Sequence, residues 1–170
     1  MKPQVIMASD FDPNFKWEVL SHPSAGQVTA CFSCGTCTVG CPIHDVFPGY
    51  DPRKIARMIN LGMKESLLSN PCIWYCATCH NCEEFCPQDV KFFNVLNVVK
   101  NIAAREGYAP ASWVNQTRQV MKTGIVFPTE EAWVKKREEL SLPPLSGKGE
   151  KAATLLRSIG VDRLQPGGSK

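Results

Sequence analysis

The chain has 170 residues, 44% of them hydrophobic and 21% charged, with a formal net charge of +3. That is room for one domain, or one domain with tails, and enough apolar material for a core. No run approaches about eighteen apolar residues, so no bilayer span is expected, and the charge is too small to argue for nucleic-acid binding.

The opening stretch MKPQVIMASDFDPNF has no apolar h-region before a small-residue cleavage site, so no secretory signal is expected. The reading places the chain in the cytoplasm, where thiols stay reduced and nine cysteines point to metal rather than disulfides. Asp12-Pro13 reads as a cap opening a helix that holds Phe15, Trp17 and Val19. Residues 31–42 then read CFSCGTCTVGCP. Asp51-Pro52 starts another helix with Ile55, Met58 and Ile59 on one face, broken at Gly62. A short helix over 64–69 precedes Asn70-Pro71, and residues 76–87 read CATCHNCEEFCP. From Pro87 to about Arg105 a helical pattern carries Phe92, Val95, Leu96, Val99 and Ile102, ended by Gly107 and Pro110. Residues 110–122 and 129–140 give two further helices. The stretch 141–149, SLPPLSGKG, has linker composition, and after it Leu155, Leu156, Ile159 and Leu164 make a short amphipathic segment. The closing QPGGSK is expected to be disordered. Period-two alternation is nearly absent, so the fold class is all-α.

The two cysteine runs are copies. Cys31, Cys34, Cys37 and Cys41 recur 45 positions on as Cys76, Cys79, Cys82 and Cys86, and Pro42 recurs as Pro87. Both are C-x2-C-x2-C-x3-C-P, the bacterial-type ferredoxin run for a [4Fe–4S] cluster. Three thiolates at three-residue spacing on a curling loop can each reach a different iron. The fourth ligand approaches from elsewhere and serves the other cluster. The expected sets are therefore Cys31, Cys34, Cys37 and Cys86 for the first cluster, and Cys76, Cys79, Cys82 and Cys41 for the second. Zinc, the rival, prefers four ligands in paired knuckles and fits two triple runs badly. Two oxidised clusters with their thiolates contribute about −2 each, taking the net charge to about −1. Gly35 and Gly40 let backbone N–H groups approach sulfur, or simply make turns. The second run lacks those glycines, so its loop is expected to differ in shape.

The resemblance to a family rests on DPNFKWEV (12–19), CFSCGTCTVGCP (31–42), DPRKIARMINLG (51–62), IWYCATCHNCEEFCPQDVK (73–91) and NIAAREGYAP (101–110). Over residues 10–125 the chain resembles the C subunit of heterodisulfide reductase (HdrC) and its bacterial relatives. The resemblance implies an α-helical ferredoxin with two [4Fe–4S] clusters. It also implies a relay from a flavin-bearing, iron–sulfur A subunit (HdrA-like) to a disulfide-reducing B subunit with CCG domains (HdrB-like). This chain has no adjacent Cys-Cys pair, so it would supply the wire and no catalytic site. The domain reading is an N-terminal segment 1–24, the ferredoxin domain 25–140, and a linker with partner-docking tail 141–170. The alternatives are the iron–sulfur subunit of another cytoplasmic dehydrogenase or reductase complex, and a zinc-stabilised interaction module.

Of the remaining residues, Cys72 reads as a small apolar residue near the second run. His80 reads as a loop residue, and His22 and His44 have no partner constellation. Trp74 and Tyr75 are expected to pack and to shield the second cluster from water. Lys135, Lys136 and Arg137 read as a solvated basic face.

Overall fold

The computed structural model describes residues 7–127, 130–145 and 149–167. The first few residues, part of the 141–149 linker and the end of the closing segment lie outside them. The described residues are helical, with no strand, and no helix among them is long and apolar enough to cross a membrane. They fall into two units, one up to Glu106 and one from Gly107.

The first unit begins with α1 (Phe15–Leu20), which buries Phe15 and Val19 while Trp17 stays exposed. The Asp12 carboxylate accepts from the Asn14 N–H, so the predicted cap acts one turn earlier than the helix itself. Two one-turn helices follow, α2 (Thr36–Val39) and α3 (Pro42–Val46, with proline leading). In α4 (Pro52–Leu61) Asp51 caps the N-terminus by accepting from the Lys54 N–H, and Ile55, Met58 and Ile59 are buried. Gly62 closes α4 with φ +77, and any Cβ there would collide with the Asp12 carbonyl that approaches from the α1 side. This is a position only glycine fills without strain. α5 (Lys64–Leu68) buries Leu67 and Leu68, and a 3-10 turn over Pro71–Tyr75 leads into the second cysteine run. α6 (Asn81–Glu84) and α7 (Phe92–Arg105) complete the unit. All five apolar positions predicted for the helix after Pro87 are buried on α7. It starts five residues later than Pro87, because Asp89 and Lys91 adopt left-handed φ of 48° and 54°.

The core joins α1, α4, α5 and α7 through Phe15, Val19, Ile59, Leu67, Ile73, Leu96 and Val99. Lys64 ties the same elements at the rim, 2.9 Å from Glu18 and 2.7 Å from Glu106. α1, which precedes residue 25, is thus packed into this unit.

The second unit holds α8 (Ala111–Thr123), α9 (Glu131–Glu139) and α10 (Glu150–Ser158). α10 packs on α8, with Ala109, Val114 and Ala153 buried. The helix after the linker thus finds its apolar partner in α8, within the unit from Gly107. Leu155 and Ile159 nevertheless remain 69% and 71% exposed. α9 has no buried residue. In its basic run, Lys136 pairs with Glu139 at 2.9 Å and Arg137 donates to the Pro143 carbonyl at 2.8 Å.

Candidate metal centre

The two cysteine runs fold alike. Ser33 and Thr78, 45 positions apart, both take left-handed φ, 59° and 56°. Gly35 and His80 do the same at 90° and 63°, each at the N-terminus of its one-turn helix, α2 or α6. The expectation of a differently shaped second loop is corrected here. His80 accepts the conformation that glycine takes in the first copy, held by Glu83 Oε2 at 3.0 Å from its Nδ1 and by Phe93, whose ring centre lies 4.1 Å away. Left-handed backbone at a side-chain-bearing residue is strained, and such strain persists where surroundings over-determine it. The copies face each other, with α2 against α6 and the Asn81 side chain donating to the Gly40 carbonyl at 3.1 Å.

Between them lie two recesses. The first is lined by Cys31, Cys34, Cys37 and Cys86, with Cys82 also on its wall. The second is lined by Cys41, Cys76, Cys79 and Cys82. Cys72 borders neither. Cys34 and Cys79 are exposed, whereas Cys41 is buried.

The thiols feel one another accordingly. Burial pushes Cys37 up to about 11, against a Thr38 hydrogen bond, and the charges of Cys31, Cys34 and Cys86 push it further. Burial likewise pushes Cys82 up to about 12, with Cys76, Glu83, Cys37 and Cys79 adding to it. Cys34 is instead lowered by the Thr36 hydroxyl and backbone N–H groups including that of Gly35. Backbone N–H groups also reach sulfur at Cys76 (from Thr78) and Cys86 (from Val90), both at 3.4 Å. Among the described residues, no three Cys, His, Asp or Glu side chains converge on one ion-sized point. The thiols ring a volume instead, which fits a cubane whose corners need separate ligands better than a zinc ion needing four sulfurs at about 2.3 Å.

Residues 27–90, which contain all eight motif cysteines, match the family model described as a 4Fe-4S dicluster domain. Over 94% of its length the chain is 31% identical to the C subunit of the H(2):CoB-CoM heterodisulfide,ferredoxin reductase of Methanothermobacter thermautotrophicus, covering 89% of that protein. It is 32% identical to the iron-sulfur C subunit, numbered 2, of the CoB--CoM heterodisulfide reductase of Methanocaldococcus jannaschii, with 94% and 92% covered. The chain belongs to the HdrC family, the C subunits of heterodisulfide reductases. It is an iron–sulfur electron-transfer subunit, as the resemblance implied.

Within this HdrC fold, the residues shielding the second recess differ from those expected. Tyr75 is 47% exposed and stacks edge-on against Phe47 at 5.2 Å. Neither it nor Trp74 lines the recess; Ile43, Tyr50 and Phe93 do. Tyr50 is the residue that sequence reading missed. Its only local signal is that it directly precedes the Asp51-Pro52 helix start. His44, expected to be without partners, has its Nδ1 2.7 Å from the Tyr50 carbonyl oxygen.

Proposed function

We propose that this chain is a two-cluster relay, with Cys31, Cys34, Cys37 and Cys86 holding one [4Fe–4S] cluster and Cys76, Cys79, Cys82 and Cys41 the other. Such clusters, when bound, supply reversible one-electron transfer. The observation that carries this reading is the crossed lining of the recesses, each edged by three thiols of one run and the fourth of the other. Cys82 borders both recesses but is assigned to the second set, where it lies with Cys76 and Cys79 of its own run. The protein's part is to hold the thiolates with N–H groups, to exclude water with Tyr50, Ile43 and Phe93, and to keep the two sites adjacent.

The relay runs between an HdrA-like subunit carrying flavin and its own clusters and an HdrB-like CCG-domain subunit, in the cytoplasm. The support is that the relatives named above are subunits of heterodisulfide reductases. The terminal acceptor class is a disulfide, reduced on the partner, because no adjacent cysteine pair occurs here. Residues 141–170 serve as the partner-docking segment, supported by the exposed Leu155 and Ile159 at α10. Cys86→Ala tests the crossing. It should damage the cluster of Cys31, Cys34 and Cys37 in the electron paramagnetic resonance (EPR) spectrum, with some loss of folding free energy. Damage confined to the cluster of Cys76, Cys79 and Cys82 would make the assignment wrong.

A further inference from the structure

The second cysteine run makes its bend with a residue that does not take it freely, and one side chain holds it there. His80, between Cys79 and Cys82, has φ 63° where the first copy has Gly35, and it lines the second recess. Glu83, directly after Cys82, grips it twice. The Glu83 N–H donates to the His80 carbonyl at 2.8 Å, and Glu83 Oε2 lies 3.0 Å from His80 Nδ1. A carboxylate only accepts, so Nδ1 supplies the hydrogen of that bond. The other oxygen, Oε1, accepts from the Asn94 N–H at 3.4 Å, in the first turn of α7. Lys91, which opens α7, gives that turn no capping hydrogen bond, so the Glu83 carboxylate stands in the place of a cap. Its side chain is only 12% exposed.

The first copy divides these tasks. Thr38, 45 positions before Glu83, fastens its own run to the next long helix. It donates to Asp51 at 2.6 Å and accepts from the Arg53 N–H at 3.1 Å, at the start of α4. Thr38 has no bend to hold, because Gly35 takes the left-handed conformation without steric cost. Glu83 both fastens and holds, because a left-handed histidine stores strain.

We propose that Glu83 is a positioning residue for the second cluster, keeping the His80 bend closed so that Cys79 and Cys82 stay spaced for ligation. It acts through His80 and the two flanking thiols and touches no reacting atom. The inference rests on the ligand sets proposed above.

The test uses the full chain loaded with iron and sulfide without oxygen. Iron release to a chelator is timed while EPR spectra are recorded, and Cys76→Ser marks which signal belongs to the second site. Glu83→Ala should speed loss of the marked signal about tenfold, a factor that the strain of a left-handed non-glycine residue covers. The unmarked signal should decay at the parent's rate. Glu83→Gln keeps an oxygen acceptor and should stay within about twofold of the parent. The deciding arm is His80→Gly. With glycine in the bend, adding Glu83→Ala should speed release less than about threefold, because only the cap is then lost. The same acceleration with and without His80→Gly would show that Glu83 serves α7 alone, and would overturn the proposal. An unchanged rate in Glu83→Ala, or equal loss of both signals, would overturn it too. If Glu83→Ala takes up no iron, the double variant should still do so, and failure of both contradicts the proposal. If Cys76→Ser altered neither signal, the ligand sets would fall and the proposal with them.

Discussion

At the scale of single residues, the site is built from backbone conformations as much as from thiols. Gly35 in one run and His80 in the other hold the same left-handed bend, so glycine is one solution there and a clamped histidine another. Gly62 permits no such alternative. Its would-be Cβ meets the Asp12 backbone, which itself donates to the Gly62 carbonyl at 2.7 Å. Gly62→Ala should therefore cost about 2 kcal/mol or more, combining left-handed strain with overpacking. Chemical denaturation of the variant measures this, and an unchanged midpoint would show that the α1–α4 contact yields easily.

At the scale of elements, the first cysteine run is fastened to α4 by a shared cap. Thr38 Oγ1 donates to Asp51 at 2.6 Å and accepts from the Arg53 N–H at 3.1 Å, while Lys54 N–H donates to the same carboxylate at 3.0 Å. Burial pushes Asp51 up, but the Thr38 and Lys54 hydrogen bonds, aided by Arg53 and His44, outweigh it and hold the carboxyl below its ordinary value. The stability this gives is present above the ordinary carboxylate range and is lost as pH falls through the lowered folded value. Asp51→Ala should cost about 1 kcal/mol near neutrality, a typical cap loss. The gap from the parent protein should shrink below about pH 4 as the parent's own carboxyl protonates. Urea titrations at a series of pH values check this, and a gap independent of pH would contradict it. That cap was legible because Asp-Pro before an apolar face is a local signal, as were the spacing of the thiols and the buried stripe of α7. What was not legible depends on distant chain. Tyr50 shares a recess with Cys76 only because the fold brings the segments together, and Tyr75, adjacent to Cys76 in sequence, turns outward onto Phe47. The late start of α7 escaped notice because Asp89 and Lys91 are left-handed without being glycine.

At the scale of the whole molecule, all eight motif cysteines lie in the unit ending at Glu106, while α8, α9 and α10 form the other. Deleting 142–170 strips α10 from α8 but leaves the cysteine recesses whole. The truncated protein should keep its iron and lose binding to its partner subunits, read by pull-down with iron assayed in parallel. Undiminished assembly would show the segment dispensable, and loss of iron would show that it supports the cluster unit. The central claim, that two recesses hold two [4Fe–4S] clusters, is tested most directly by metal and acid-labile sulfide analysis of the protein reconstituted without oxygen. The account predicts about eight iron and eight sulfide per chain; stoichiometric zinc without acid-labile sulfide would contradict it.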